Sequence, residues 1–143
     1  MSERVQALAF VAVLVVAIAG LYAAIQRMQP ASIASALVRD AKLSIEGNGW
    51  SIAYHAVTTS NNTVFGILME ASKANGFSVT FVRYEIPSGV FVTGINGSVN
   101  GEGSRYWQYW VNGVYGTVAS DHQALHDRDT VLWSFTNPQE GGG

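Results

Sequence analysis

The stretch from Val5 to Ile25 carries no charged side chain, and its only polar ones are Gln6 near the start and Tyr22 near the end. A helix that is apolar on every face has no side for water to solvate, so such a run belongs in a core or in lipid. At about 1.5 Å per residue it spans roughly 31 Å, which matches the hydrocarbon core of a bilayer. Two membrane readings fit. One is a retained signal anchor, favoured because the run is long for a signal-peptide core. The other is a cleaved signal peptide, since Ala17-Ile18-Ala19 has the small-x-small pattern. A buried soluble helix is the third alternative. A type IV pilin-like start would need a glycine before the run and a glutamate just inside it, and neither is present. Arg4 and Arg27 flank the run, so local charge does not set its orientation. The short flank before Val5 favours N-inside insertion, with everything after Gln26 outside the cytoplasm.

The rest is roughly 100 residues, enough for one domain with one core. Charged residues make up 13% and the net charge is −2. Lys and Arg are few and scattered, which excludes a nucleic-acid footprint. There is no cysteine, so disulfides, zinc-thiolate sites and cysteine nucleophiles are excluded. Residues 1–28 are therefore expected to form the anchor or signal segment. Residues 29–41 form a linker, with Pro30 stopping the first helix and Ala31 to Val38 as a short helical stalk. Residues 42–136 form the domain, and residues 137–143 a frayed tail.

Inside the domain, Leu43 and Ile45 alternate with Lys42, Ser44 and Glu46, the period of a half-buried strand. Gly47-Asn48-Gly49 turns the chain into a second strand over Trp50–Val57, giving a hairpin. Asn62 or Thr63 can cap a helix whose stripe is Val64, Ile67, Leu68 and Ala71, with Glu70 and Lys73 off that stripe. Asn75-Gly76 ends it. Phe77, Val79 and Phe81 alternate in a third strand. Pro87-Ser88-Gly89 turns into a fourth over Val90–Ile95, and Asn96–Ser104 is a loop. Tyr106–Val111 is a fifth strand, Val114–Val118 a sixth, and Asp129–Thr136 the last. The fold class is α+β: a β-grasp-like, mostly antiparallel sheet with one packed helix, preceded by an N-terminal transmembrane helix.

Tyr106-Trp107-Gln108-Tyr109-Trp110-Val111-Asn112-Gly113 packs four aromatics into five residues before the strongest turn signal in the chain. Asn112-Gly113 suits a type I′ turn, whose two central residues need positive φ. Trp107, Tyr109 and Val111 share one face of the strand, and Tyr106, Gln108 and Trp110 the other. Periodicity does not say which face is buried. An exposed face with rigid aromatics and an amide would suit a flat ligand or a protein partner. Alternatively, both faces are structural, through cross-strand aromatic pairs.

Three blocks then carry a family resemblance: Thr63–Ala71 with Asn75–Val79, Gly89–Gly97, and Tyr106–Tyr109 with Asn112-Gly113, Asp127 and Asp129. From about Lys42 to Phe135 the chain resembles the C-terminal β-domain of the vitamin B12 carriers, transcobalamin and intrinsic factor. It is most similar to the prokaryotic transcobalamin-like domains that occur outside those carriers. The resemblance implies a binding function for cobalamin or a corrinoid, with no required cofactor. It implies ligand contacts from Thr93, Gly94, Ile95 and Asn96 and from Trp107, Gln108, Tyr109 and Trp110. In the carriers an α/α-barrel completes the clamp. This chain has no such barrel, so an α/α-barrel partner protein or self-association would have to supply it. Gly94 stands where the carriers have a serine, and Arg128 where prokaryotic relatives often have a glycine.

Other chemistry is sparse. Asp121, His122, His126, Asp127 and Asp129 cluster in sequence. The i,i+4 spacing of His122 and His126 would suit zinc on a helix with a third ligand, but turn chemistry explains the acids equally well. His55 reads as a surface residue. Gly101-Glu102-Gly103 has no helix after it, so it is not a phosphate loop. No nucleophile elbow or acid–base spacing occurs, so no enzyme is expected. The expected protein is a membrane-anchored extracytoplasmic binding domain, secreted if the N-terminal segment is cleaved. The other reading is a structural surface protein that uses the same domain for assembly or adhesion.

Overall fold

The computed structural model of the protein describes residues 3–27 and 36–139. The chain falls into two compact units, Met1–Ala34 and Ser35–Gly143. In the first, α1 runs from Glu3 to Arg27. Its stretch Glu3–Ala23 is long and apolar enough to cross a membrane, and its residues are all exposed. Most of the expected linker, with its helical stalk, lies outside the described residues.

The second unit contains β1 (Val38–Glu46), β2 (Ser51–Thr59), α2 (Val64–Asn75), β3 (Val79–Glu85), β4 (Ser88–Ile95), β5 (Ser98–Val99), β6 (Tyr106–Val111), β7 (Val114–Tyr115) and β8 (Thr130–Thr136). The first strand begins at Val38 rather than Lys42. Val38 and Ala41 are buried in the core, and Arg39 N–H donates to the Asp127 carboxylate (2.8 Å). Burial on one side and a partner on the other extend the strand back into residues expected to be linker.

A five-stranded sheet has the order β2-β1-β8-β6-β7. β8 pairs parallel with β1 and antiparallel with β6, and the remaining pairs are antiparallel. The register builds rows across the sheet. Ile52, Ile45, Trp133 and Tyr109 are successive partners, as are Leu43, Val131 and Val111, and Phe135 sits opposite Trp107. Because side chains alternate, a slip of one residue would turn each of these rows to solvent. Trp107, Tyr109, Trp133 and Phe135 are all buried, so this is the core face of the aromatic hairpin. Their rings touch: Trp107 to Phe135 at 5.1 Å and Tyr109 to Trp133 at 5.4 Å between centroids.

α2 lays Val64, Phe65, Ile67, Leu68 and Ala71 into the same core. The Thr63 hydroxyl accepts from Gly66 N–H (3.0 Å) at its start, and Gly76 at φ 73° donates to Ser72 O (2.9 Å) at its end. Both caps follow from the sequence. Glu70, read as lying off the stripe, is a hub. Its carboxylate accepts from Tyr54 Oη (2.7 Å), Asn61 Nδ2 (2.7 Å) and the Thr59 hydroxyl, tying the helix to β2 and its loop.

β3, β4 and β5 form a separate three-stranded sheet rather than extending the first. Asn96 and Gly97 hold positive φ (48° and 84°) and turn Ile95 directly into Ser98, so part of the expected loop is a hairpin. Val90, Val92 and Ile95 bring this sheet into the shared core. At the far end the chain does not fray at once. Gln108 Nε2 donates to Asn137 O (3.0 Å), and Gln139 N–H donates to Gln108 Oε1 (3.3 Å). The tail covers the amide, and Gln108 is only 9% exposed. Residues 140–143 lie outside the described residues. Arg128 holds φ 66°, a conformation that glycine adopts without strain.

The two faces of the hairpin therefore differ. Trp107→Ala should cost about 3–5 kcal/mol, as for other buried aromatics. Trp110→Ala, at a half-buried side chain paired edge-on with Tyr115, should cost under about 1.5 kcal/mol. Urea unfolding of both variants checks this, and equal losses would contradict it. Glu70 gives a pH signature. Burial pushes its carboxyl up, but the hydrogen bonds from Asn61, Thr59 and Tyr54 outweigh that and hold it below the usual value. The bond to Glu70, burial and the Glu70 charge all push the Tyr54 phenol up. A lowered acid stabilises the fold above its unfolded pKa, and that contribution is lost as pH falls through the folded value. The raised phenol stabilises below its unfolded pKa and loses the contribution in strong alkali. Glu70→Gln should cost about 1–2 kcal/mol at neutral pH and flatten the acid side of stability against pH.

Candidate functional site

The hairpin strand β6, the start of β4 and the loop after β7 enclose a cleft of about 350 Å³. Its wall includes Val90, Phe91 and Val92 from β4, Tyr106 to Tyr109 from β6, Tyr115 to Ser120 without Thr117, and Trp133 from β8. The loop is fastened to β4 by Asp121, whose Oδ1 accepts from Val90 N–H (2.9 Å). Gly116 N–H donates to Tyr109 O (2.8 Å), and a Cβ at Gly116 would enter the Tyr109 ring, so only glycine lets the loop lie this close. Tyr109 Oη donates to Val118 O (2.6 Å). Burial pushes the Tyr109 phenol up. The Val118 backbone offsets part of this, and the charges of Tyr115 and Asp121 add to the rise. The phenol is therefore neutral and stays a donor.

Of the eight residues implied by resemblance, Trp107, Gln108 and Tyr109 line this cleft, and Thr93, Gly94, Ile95, Asn96 and Trp110 do not. Trp107 is 4% exposed, and its indole N–H donates to Ser98 O (2.8 Å). Ile95 is fully buried core, and Asn96 is an exposed turn residue. The Thr93 hydroxyl donates to the Thr80 hydroxyl (3.0 Å). One residue joins the two implied segments. Asn100 N–H donates to Thr93 O (2.8 Å), while Asn100 Oδ1 accepts from Trp107 N–H (2.8 Å). Asn100 Nδ2 also donates to Val92 O (3.0 Å). Nothing in the residue types around Asn100 marks this bridge in advance. The cleft's other wall, Val90–Val92 with Val118–Ser120, is equally silent in sequence, because it is assembled from segments that meet only in the fold.

The His/Asp cluster comes apart. Asp121 serves β4 and Asp127 serves β1, as above. Asp129 accepts from Asn112 Nδ2 (2.8 Å) and His126 N–H (2.8 Å), pinning the hairpin turn. His122 and His126 are not on a helix, and among the described residues no three His, Asp or Glu side chains converge on a metal-sized site. His55 is on the surface, 2.6 Å from the Asp40 carboxylate.

A Cβ at Gly94 would come within 2.6 Å of Thr80 Oγ1. Gly94→Ser should cost roughly 1–2 kcal/mol by overpacking, and adding Thr80→Ala should recover most of it. Urea midpoints of the single and double variants measure this.

No curated protein matches the chain. Among solved structures, it is similar to a candidate metal-binding protein from Ruminococcus gnavus ATCC 29149, with 13% identity and a TM-score of 0.53 over 70% of this chain and 98% of that one. It is also similar to haptocorrin in complex with Cbi, with 18% identity and a TM-score of 0.54 over 71% of this chain. The chain spans 26% of haptocorrin's length. At these identities the likeness is one of fold, and at that level the expected resemblance to the B12 carriers holds. A family model matches residues 61–137, more than half of the chain. The chain thus belongs to the family described as a domain of unknown function, DUF4430.

Proposed function

We propose that this chain is a single-pass membrane protein whose C-terminal domain stands outside the cytoplasm and binds cobalamin, another corrinoid or a related ligand, without catalysis. The observation that carries the reading is the Asn100 bridge, which links the Thr93 segment to Trp107 through two 2.8 Å hydrogen bonds. Two stretches implied as ligand contacts are thereby held in a fixed relation, as a preorganised site requires. The shared fold with haptocorrin supports the ligand class, and α1 supports the anchor. Since the chain spans only 26% of haptocorrin, an α/α-barrel partner or a second copy would close the other side of the ligand.

A second reading, assembly at the surface, is favoured by β2. It is a nine-residue strand at one end of its sheet, with Val57 72% exposed. A long edge strand can pair with another copy by strand addition.

Titration of the full chain in lipid nanodiscs with cyanocobalamin separates the two. A saturable shift in the corrin absorption is expected, weakened about tenfold by Trp110→Ala. No shift at millimolar concentrations would remove the corrinoid reading. Association that rises with protein concentration in the absence of cyanocobalamin, measured by analytical ultracentrifugation, would favour assembly.

A further inference from the structure

We propose that the end of the domain at which the chain enters β1 rests on the bilayer surface, with the Ile86-Pro87 turn and the loop after β7 dipping into the lipid interface. This rests on reading α1 as a membrane anchor, and it names the side that the domain turns to that membrane. The strand directions define two ends. Val38 begins β1 opposite Thr59 of β2, and β8, parallel to β1, begins at the same end. β6 finishes there, because Val111 faces Val131, so the Asn112-Gly113 turn and β7 lie there too. Arg128 N–H donates to Arg39 O (2.8 Å), which brings the loop after β7 to the start of β1. The start of β4 joins them. Val90 N–H donates to Asp121 Oδ1, and a Cβ at Gly89 would come within 2.6 Å of the Ala119 Cβ. The turn between β3 and β4 therefore shares the end at which the chain enters the domain.

Exposed apolar side chains gather at this end. Ile86 is 94% and Val114 70% exposed, and Leu37, Tyr84, Tyr115 and Val118 are exposed with them. At the opposite end of the domain, among the described residues, only Val99 and Tyr106 are large, apolar and exposed. Val82 and Phe91 lie midway along β3 and β4. Apolar exposure collected on one side marks a contact surface. The chain itself names the occupant. Residues 28–37 join Arg27 to Val38, and at full extension they reach no more than about 40 Å. The bilayer that holds α1 is thus always within reach of this end, whereas another protein would have to be captured from solution. Tyr84 and Tyr115 suit the headgroup layer, where rings with a polar tip concentrate. The cations here, Arg39, Lys42, Arg83 and Arg128, meet as many carboxylates, Asp40, Glu85, Asp121 and Asp127. Asp121 and Asp127 are turned onto the Val90 and Arg39 N–H groups, and Arg83 lies over the Phe65 and Phe81 rings. The contact is therefore apolar, without the basic cluster that anionic lipid would select.

The chain has no cysteine, so a single introduced thiol carries a unique label. Full-length Ile86→Cys, Val118→Cys, Val99→Cys and Val13→Cys are each labelled with bimane. Each is placed, one molecule per disc, in phosphatidylcholine nanodiscs that carry nitroxide lipids. Side chains that enter the interface to about 5–10 Å meet nitroxides near the headgroups, which should lower emission from the labels at 86 and 118 about twofold or more. The label at 99, at the opposite end, should keep its emission. High salt should leave the pattern unchanged, and quenching that vanishes with salt would overturn the apolar contact. Nitroxides deep in the acyl chains should quench the label at 13, which reports on the anchor alone. Quenching at 13 without quenching at 86 and 118, or equal quenching at 86, 118 and 99, would overturn the lipid contact and leave the anchor standing. Quenching at 86 and 118 without quenching at 13 keeps the surface contact and removes the span. No quenching at any of these positions overturns both. A bimane shift at 86 that appears only in discs holding two molecules would assign this end to a second copy and overturn the proposal. If Val118→Cys does not fold, the label at 86, on a turn open to solvent, decides alone.

Discussion

The placement of β8 between β1 and β6 is the constraint on which the domain depends. The last strand enters the middle of the sheet, parallel to the first strand and antiparallel to the aromatic hairpin strand. Without it the sheet would separate into two hairpins, each too small to be stable alone. β8 also delivers Val131, Trp133 and Phe135 to the core, where they meet Leu43, Ile45, Trp107 and Tyr109 across the rows. The hairpin gains its buried face only because β8 is already beside it. This pairing closes nearly the whole length of the domain, so its loop entropy must be recovered from the core it completes.

Polar side chains then fix what packing alone would leave loose. Glu70 locks α2 to β2 and its loop, Asp129 holds the hairpin turn, and Asp121 binds the loop after β7 to β4. Asn100 and the Trp107 indole stitch the smaller sheet to the larger one. Each replaces water with a partner at a place where two backbone segments would otherwise meet without hydrogen bonds. Trp133 Nε1 and Ser120 Oγ stand out against this pattern, buried and without a hydrogen-bond partner among the described residues.

Much of the layout was legible in the residues. The caps Thr63 and Gly76, the helix stripe, the Asn112-Gly113 turn and the alternation of most strands follow from local rules. Asn96-Gly97 carried the same turn signal as Asn112-Gly113. Reading the three glycines that follow Asn96 as one loop hid the short strand after it. The linker was expected to run on to Ala41 because the polar pair Arg39-Asp40 hides that Val38 and Ala41 are buried. The cleft was legible only in its hairpin wall. Trp107, Gln108 and Tyr109 do line a cleft, whereas Thr93, Gly94, Ile95, Asn96 and Trp110 lie off it.

By itself, then, the sequence determined what depends on near neighbours: a helix apolar on all faces at Val5–Ile25, one amphipathic helix, strands of period two, and an aromatic hairpin with two distinct faces. Hydrogen bonds of caps and turns and the period of side chains act within a few residues, so they can be read along the chain. Only the tertiary structure decided which hairpin face is core, because Tyr106-Trp107-Gln108-Tyr109-Trp110 is compatible with burial on either side. β8 chose the Trp107 and Tyr109 face by pairing Phe135 and Trp133 against it, and the tail at Asn137–Gln139 closed over Gln108 on the other. The cleft too belongs to the tertiary structure, since its walls come from β4, β6, β8 and the loop after β7, which no local pattern brings together.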